Sequence, residues 1–186
     1  MRILGMKMRV SGLLILGFSV LFCGLAWPDQ ASERPEKPLG LMILLPADDE
    51  IPGWKRSEKT LRASNQEDLY RIFNGGASLY IQHGFRSFVG QSYKGAKGME
   101  LEVYIFDQGT PQNTEDLYEN PFTKPNRIKE IASFGEKARI DMTPLFAYGI
   151  DFIRNRFFVR VLIQDRTEGG LNVAISFARS ISNRIK

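Results

Sequence analysis

Arginine side chains are concentrated in one stretch of the sequence, and they could bind an anionic group. The stretch 154–166 contains four arginines, interleaved with Phe157 and Phe158. Alternation along an extended strand predicts that one face carries Phe158 together with three of them: Arg154, Arg156 and Arg160. That face could bind an anionic ligand, a phospholipid surface or an acidic partner. The alternative is a solvated sheet face whose arginines pair with glutamates such as Glu100, Glu102 or Glu168.

Two adjacent glycines, Gly75 and Gly76, interrupt an otherwise helical pattern. Each glycine costs a helix about 1 kcal/mol relative to alanine, so the pair needs a physical reason. Close packing of another element is the interpretation that we favour. The alternative is a ligand that approaches the backbone, with the side-chain amide of Asn74 beside it. Under this alternative, Asn74, Gly75 and Gly76 form a candidate binding site.

His83 is the single histidine of the chain, and a histidine can act as a general base. No nucleophile-elbow motif is present to supply an activated serine. A histidine near a helix C-terminus is also favoured by the helix dipole, which makes a structural role the simpler interpretation. A small hydrolase that uses His83 and carboxylates is therefore our alternative hypothesis, and we assign no catalytic residue.

The sequence predicts neither a cofactor nor a metal site. One histidine and one cysteine, Cys23, cannot assemble the usual nitrogen and sulfur ligands of zinc. The acidic run Asp48, Asp49 and Glu50 lacks the alternating spacing and the glycine of a calcium loop. We therefore interpret this run as a solvated turn.

The N-terminus has the pattern of a secretory signal peptide. Basic residues at 2, 7 and 9 precede an apolar stretch from Val10 to Phe22, and small residues follow at Gly24 and Ala26. We predict cleavage after Ala26, which assigns 1–26 to the signal peptide, 27–38 to a linker and 39–186 to one domain. Two alternatives stay open: an uncleaved membrane anchor, and a lipoprotein attached through Cys23. The prediction is an exported protein, either periplasmic or secreted.

Cleavage would also change the charge of the chain. The full sequence has 25 basic and 21 acidic side chains, and the first 26 residues carry three basic and no acidic ones. The remaining 22 basic against 21 acidic side chains give an almost neutral domain, so we predict no nucleic-acid partner. The composition leaves the oligomeric state open.

Apolar periodicity predicts an α+β domain. Helical spacing is present from about residue 64, where Ser64 or Asn65 can cap a helix that ends at Gly84, and again in the last segment from Leu171. A short helix is predicted over 111–119, and a first strand over 39–45. Two stretches of alternating residues, 85–105 and 146–163, are typical of β-hairpins, the second turning at Arg154 and Asn155. Hairpins imply an antiparallel sheet, which two main helices and the short helix would cover.

A helix signature resembles that of an uncharacterised bacterial family of exported proteins, a domain of unknown function. The signature is Asp-Leu-Tyr-x-x-x-Asn-Gly-Gly-Ala-x-Leu-Tyr over 68–80, followed by Gly84 and Phe85. The similar order of motifs extends over about 45–185, although that family more typically has a glycine near Arg154 and Asn155. The resemblance implies an exported domain and brings no activity, cofactor or catalytic residue.

Together these patterns predict a non-enzymatic binding or interaction domain of the cell envelope or secreted space. The candidate surfaces are the arginine-bearing sheet face and the Asn-Gly-Gly segment. The expected partner is a small molecule or an envelope protein, with membrane-surface contact as a further possibility.

Overall fold

The computed structural model describes residues 40–132 and 134–186, with Lys97 described by its backbone alone. The predicted signal peptide, the linker and Cys23 lie outside the described residues, so their assignments stay predictions. In the part of the chain that the structure describes, no helix is long and apolar enough to cross a membrane.

Strands and helices follow one another without a long break through the described residues. In chain order they are β1 (Lys55–Arg56), β2 (Leu61–Ala63), α1 (Gln66–Phe73), α2 (Ala77–Gln82), β3 (Ser87–Lys94), β4 (Glu100–Asp107), α3 (Pro111–Glu119), β5 (Ile128–Ile131), β6 (Lys137–Asp141), β7 (Tyr148–Arg154), β8 (Phe157–Ile163) and α4 (Glu168–Arg184). The predicted short helix over 111–119 is confirmed as α3.

All strands join one antiparallel sheet in the order β1-β3-β4-β8-β7-β6-β5, and β2 also pairs with β3. The α+β class and the two hairpins, β3–β4 and β7–β8, are therefore confirmed. The second hairpin turns at Asn155, whose φ of 53° is the left-handed conformation that asparagine tolerates. The sequence did not predict β1, β2, β5 and β6, which extend the sheet at both edges.

The predicted first strand over 39–45 is wrong for the described part of that range. A 3₁₀ turn forms at Met42–Leu44 instead, and it lies against α4. The three leucines at 41, 44 and 45 are buried, and their spacing is that of a helical turn rather than a strand. A short apolar run does not distinguish the two by periodicity alone, which explains the error.

The predicted single helix over 64–84 is two helices. Asn65 caps α1 by accepting a hydrogen bond from the Asp68 N–H, as the sequence indicated. The helix then breaks at Asn74, where φ is 48° and ψ is −127°, and a 3₁₀ turn over Asn74–Gly76 leads into α2. Gly84 ends the segment with a φ of 82°, in agreement with its predicted role as a stop.

Helix α4 covers the first face of the sheet. Its apolar side, which includes Ala174, Phe177 and Ile181, packs on alternate residues of the central strands. Trp54 closes one end of this core, with its ring centroid 5.7 Å from that of Phe177. Trp54 therefore serves as core material.

Helices α1, α2 and α3 cover only part of the second face. They pack on a row of apolar residues that lie opposite one another in register: Phe88, Phe106, Phe158 and Ile153. The ring of Tyr80 in α2 stacks on that of Phe106, with centroids 3.9 Å apart. Beyond this apolar row, the next two rows of residues facing one another across the strands include Arg160, Glu102 and Leu162, which are partly exposed. The candidate site lies on these two rows.

Candidate functional site

Charged side chains cross the middle of the second face in a single row. The residues that face one another in register, from β4 through β8 and β7 to β6, are Tyr104, Arg160, Asp151 and Arg139. We call these four residues the ion row. Because residues opposite one another in an antiparallel pair project to the same face, the sheet register alone brings the four together.

Asp151 is the centre of the ion row, and it is fully buried. Its Oδ1 accepts from Arg160 Nε at 2.6 Å, and its Oδ2 accepts from Arg160 Nη2 at 2.8 Å and from Arg139 Nε at 3.2 Å. One carboxylate thus joins two guanidinium groups. Such charge-assisted, bidentate pairing fixes orientation as well as charge.

Arg139 has a structural role. Its side chain is inaccessible to solvent, and its guanidinium lies 3.9 Å from the centroid of the Tyr118 ring. Nη1 donates to the Tyr118 carbonyl at 2.8 Å, and Nη2 donates to the Thr123 carbonyl at 3.1 Å. Arg139 therefore fastens the end of α3 and the following loop to the sheet.

Arg160 is the accessible arginine of the ion row, with 32% of its side chain exposed. Its Nε and Nη2 are committed to Asp151, whereas Nη1 forms no hydrogen bond within the described residues. Asp151 holds the guanidinium in place, so the free edge points away from the ion pair in a fixed direction. A rigid donor edge of this kind is suited to recognition of a polar ligand.

Tyr104 lies opposite Arg160 in the register of β4 and β8. Its hydroxyl donates to Glu102 Oε2 at 2.8 Å. Burial, followed by the hydrogen bond to the Glu102 carboxylate, raises the pKa of Tyr104 above its ordinary value. Burial also raises the pKa of Tyr80, which lies close enough to Arg160 for the guanidinium to oppose that shift. Both phenols therefore stay protonated at neutral pH.

The outer row of the second face lies beside the ion row, away from the helices. Its members, opposite one another in register, are Ser92, Glu102, Leu162, Gly149 and Asp141. We call the ion row and the outer row together the open half of the second face. It carries two arginines against three carboxylates, so its positive charge is more than offset. This balance favours a ligand that both donates and accepts hydrogen bonds over an anionic ligand or an acidic partner.

The structure does not bring the three predicted arginines to one face. Arg160 lies on the second face, but Arg154 projects to the first face, where Nη1 donates to Ser182 Oγ of α4 at 2.9 Å. Arg156 lies in the turn and pairs with Asp107 at 3.1 Å. The prediction of a shared face was wrong because Arg154 and Phe157 flank the turn and are direct partners in register. Residues that are direct partners project to the same face, so Arg154 shares the face of Phe157 and not that of Phe158 and Arg160. The alternation of faces along a strand is therefore not continued across the turn.

The arginines also have partners other than the glutamates that the sequence suggested. Arg160 pairs with Asp151, and Arg156 pairs with Asp107. Arg166 donates to the Pro144 carbonyl and lies 5.0 Å above the ring of Tyr148.

The Asn-Gly-Gly segment borders the open half of the second face. Phe73, which directly precedes Asn74, has its ring 6.1 Å from that of Tyr104 and 4.9 Å from that of Phe88. The Phe73 ring thus lies beside Tyr104 of the ion row, and Asn74–Gly76 follow Phe73 directly in the chain. Both Gly75 and Gly76 are exposed.

Close packing does not explain the two glycines. A Cβ atom added at Gly75 or Gly76 would meet no atom within 4 Å among the described residues. The favoured interpretation is therefore wrong, because no element lies against this backbone. The interpretation as a ligand-accessible backbone stays a prediction.

His83 links the ends of α2 and α3. Its Nδ1 is 2.7 Å from the Leu79 carbonyl, which can only accept, so Nδ1 carries the proton. Its Nε2 is 3.4 Å from Asn120 Nδ2. Within the described ranges no carboxylate or hydroxyl group hydrogen-bonds to this ring, so this geometry supports the structural role.

The acidic run at 48–50 forms contacts within the protein. Asp48 Oδ1 accepts from the Arg56 N–H at 2.8 Å, and Asp49 lies 3.4 Å from Lys55 Nζ. Glu50 pairs with Arg184 at the end of α4. The run is therefore a turn that fastens the chain segment before β1 to β1 and α4.

Asp151, Arg139 and Tyr104 are site residues that the sequence reasoning missed. A signal was present for Asp151, since a carboxylate between Ile150 and Phe152 in an apolar strand is rarely buried without a partner. No sequence signal identifies Arg139 as that partner, because β6 was not predicted.

Comparisons with known proteins give little further information. No family model matches the chain, and no curated protein is similar to it. One similar solved structure is the extracellular domain of PknH from Mycobacterium tuberculosis, at 11% identity and a TM-score of 0.48. The match covers 77% of this chain and 93% of that one. The function must therefore be inferred from the residues of this chain.

Proposed function

We propose that this chain is a non-enzymatic binding domain of the cell envelope or secreted space. Its ligand lies on the open half of the second face and hydrogen-bonds to Arg160. The observation that carries this proposal is the partly exposed guanidinium of Arg160, held through Nε and Nη2 by the buried carboxylate of Asp151, while Nη1 has no hydrogen-bond partner among the described residues. The export pattern of the N-terminus supports the location.

The energetics of the ion row favour a functional role. Replacing a buried ion pair by well-packed apolar residues is often neutral or stabilising, so stability alone does not require Asp151 between two arginines. The neighbouring row, which the helices cover, has apolar residues on the same two strands: Phe158 on β8 and Ile153 on β7. Compared with such an apolar pair, the Asp151–Arg160 pair adds a preorganised guanidinium with a free edge.

The chemistry around Arg160 identifies the class of ligand. Arg160 supplies donors only, and the Glu102 carboxylate supplies acceptors only. The ring of Tyr104 between them offers an apolar surface. A neutral ligand rich in hydroxyl or amide groups, such as an oligosaccharide of the envelope, satisfies both kinds of group without adding charge to the face.

Binding of neutral oligosaccharides is the direct test. We would titrate the protein with N-acetylglucosamine oligomers and with fragments released from the envelope of its host, using calorimetry. Arg160→Gln and Glu102→Gln each remove one ionic hydrogen-bonding group, so each should weaken binding at least tenfold, which corresponds to about 1.4 kcal/mol. Tyr104→Phe should weaken binding less, because its hydroxyl already donates to Glu102.

Arg154→Gln is the matched control, since Arg154 lies on the opposite face and should leave the affinity unchanged. If Arg154→Gln weakened oligosaccharide binding as much as Arg160→Gln does, the open half would not be the binding surface. The same conclusion would follow if Arg160→Gln and Glu102→Gln bound with wild-type affinity. Cleavage of the oligosaccharides that disappears in His83→Ala would instead establish the alternative hydrolase.

A further inference from the structure

Three large apolar side chains are almost fully exposed on two loops. Phe122, in the loop between α3 and β5, is 89% exposed. Leu145 and Phe146, in the loop between β6 and β7, are 74% and 77% exposed. Removing such side chains from water is favourable, so an apolar environment would stabilise all three.

The two loops are joined to each other by hydrogen bonds. The Met142 N–H donates to the Arg127 carbonyl at 2.8 Å, and the Arg127 N–H donates to Thr143 Oγ1 at 3.1 Å. The two loops are therefore held side by side at Arg127 and Thr143. We call Phe122, Leu145 and Phe146 with their two loops the apolar tip.

Hydrogen bonds from two arginines and to Asn120 hold the apolar tip in position. Arg139 binds the carbonyl of Thr123, next to Phe122, and Arg166 binds the carbonyl of Pro144, next to Leu145. The Phe122 N–H itself donates to Asn120 Oδ1 at 2.9 Å. The exposure of these side chains is thus built into the fold at both loops.

Basic side chains flank the apolar tip. Lys124, Arg127 and Lys129 follow Phe122 with no acidic residue from Asn120 to Lys129. Lys124 has a partner in Glu119, at 3.6 Å. Arg127 and Lys129 are both exposed, and among residues 40–132 and 134–186 no carboxylate lies within 4 Å of either charged group. The rim of the apolar tip is therefore complementary to an anionic surface.

We propose that the apolar tip docks on an anionic phospholipid membrane. Phe122, Leu145 and Phe146 insert into the boundary between headgroups and acyl chains, and the basic side chains contact the lipid phosphates. The small size of the tip favours a membrane over a protein partner. A stable protein interface buries about 800 Å² on each partner, which is more than three side chains provide, whereas a fluid lipid surface needs no complementary shape. The loops of the tip adjoin the open half, through the Arg139 contact with the Thr123 carbonyl and the hydrogen bond from the Thr143 N–H to Asp141 Oδ1, but Phe122, Leu145 and Phe146 belong to neither of its rows.

Insertion is tested most directly with a fluorescent residue at the tip. In the full chain we would introduce Phe146→Trp and, in a separate variant, Ile43→Trp as the control, because Ile43 is also exposed, at 61%, but lies far along the chain from both loops. Each variant is mixed with vesicles of phosphatidylcholine and phosphatidylglycerol whose acyl chains carry bromine. Because the chain already contains Trp27 and Trp54, quenching is measured relative to the wild type. The expected result is added quenching for Phe146→Trp and none for Ile43→Trp.

This readout separates insertion of the tip from attachment through the N-terminus, because an N-terminal anchor would not bring position 146 into contact with acyl chains. Charge is tested with Arg127→Gln and Lys129→Gln together. At about 1 kcal/mol for each basic residue near an anionic surface, the pair should weaken binding to these vesicles by about thirtyfold. Vesicles of phosphatidylcholine alone should bind more weakly.

Two results would overturn the proposal. The first is absence of quenching at 146, or equal quenching at 43 and 146. The second is a concentration-dependent dimer in sedimentation equilibrium that Phe146→Ser abolishes, which would assign the tip to a second copy of the chain. Phe122→Ser combined with Phe146→Ser should keep the unfolding midpoint within a few degrees of the wild type, since both side chains are exposed.

Discussion

Arg160 and Asp151 form a bidentate ion pair on the second face of the sheet, with N–O distances of 2.6 and 2.8 Å. The carboxylate of the pair is completely buried, and the guanidinium reaches solvent. Because Arg139 also contacts the same carboxylate, one negative charge serves two positive charges. The pair is therefore both the structural centre of the ion row and the support for its exposed donor edge.

Asp151→Asn should be strongly destabilising. The substitution leaves Arg139 buried without its counter-charge, and breaking a buried pair from one side costs about 3–5 kcal/mol. Urea unfolding followed by circular dichroism measures the change. The control is Glu67→Gln, which breaks an exposed pair with Arg71 and should change the stability by less than about 1 kcal/mol. A small effect at Asp151 would mean that the ion row contributes little to the fold.

Gly75 and Gly90 should respond in opposite ways to alanine. At Gly90 a Cβ atom would lie 2.7 Å from the Phe88 ring and 3.1 Å from the Tyr104 ring, so Gly90→Ala should cost about 1–3 kcal/mol. At Gly75 the same atom meets nothing within 4 Å, so Gly75→Ala should be stabilising by about 0.4–1 kcal/mol. Thermal unfolding of both variants tests this, and destabilisation by Gly75→Ala would restore packing as the reason for that glycine.

Local patterns in the sequence were sufficient for the centre of the fold. Alternating residues in 146–163 predicted the β7–β8 hairpin, and the apolar stripe from Leu171 predicted α4. These signals are local because each element buries one regular face. Strand β6 carries the same kind of alternation, since its sequence Lys-Ala-Arg-Ile-Asp is polar at every second position, but a run of five residues is short and was not among the predicted strands.

The candidate site was only partly predictable for the same reason. Arg160 was identified, and its partner Asp151 lies across the predicted β7–β8 hairpin, but Tyr104 and Arg139 lie on strands outside that hairpin. Which strands are neighbours depends on the sheet order, and no local pattern contains that order. A charged residue within a strand therefore looks solvated in the sequence until its partner across the sheet is known.

The Gln108→Met substitution should stabilise the protein against unfolding. Its side chain is fully buried, and neither its amide nitrogen nor its amide oxygen has a hydrogen-bond partner in the described part of the chain. A buried polar group without a partner costs about 1–3 kcal/mol, so Gln108→Met should raise the urea midpoint. The matched control is Gln91→Met, because the Gln91 amide bonds to Thr60 Oγ1 at 2.5 Å and to the Glu58 carbonyl at 3.1 Å. That control should lower the midpoint, and a lowered midpoint for both would show that the Gln108 amide is satisfied.

Glu50 should make the stability sensitive to acid. Partial burial by itself raises the pKa of Glu50, but hydrogen bonds from Ser180, Arg184 and the Ala47 N–H outweigh it and lower the pKa from 4.5 to about 2. A folded-state pKa below the unfolded value adds stability that is fully present above about pH 4.5 and is lost as the pH falls towards 2. We would measure urea midpoints of the wild type and Glu50→Gln across this range. The difference between them should be constant above pH 5 and should shrink steadily below it, whereas a difference independent of pH would mean that the carboxylate is not held in its ionised form by these contacts.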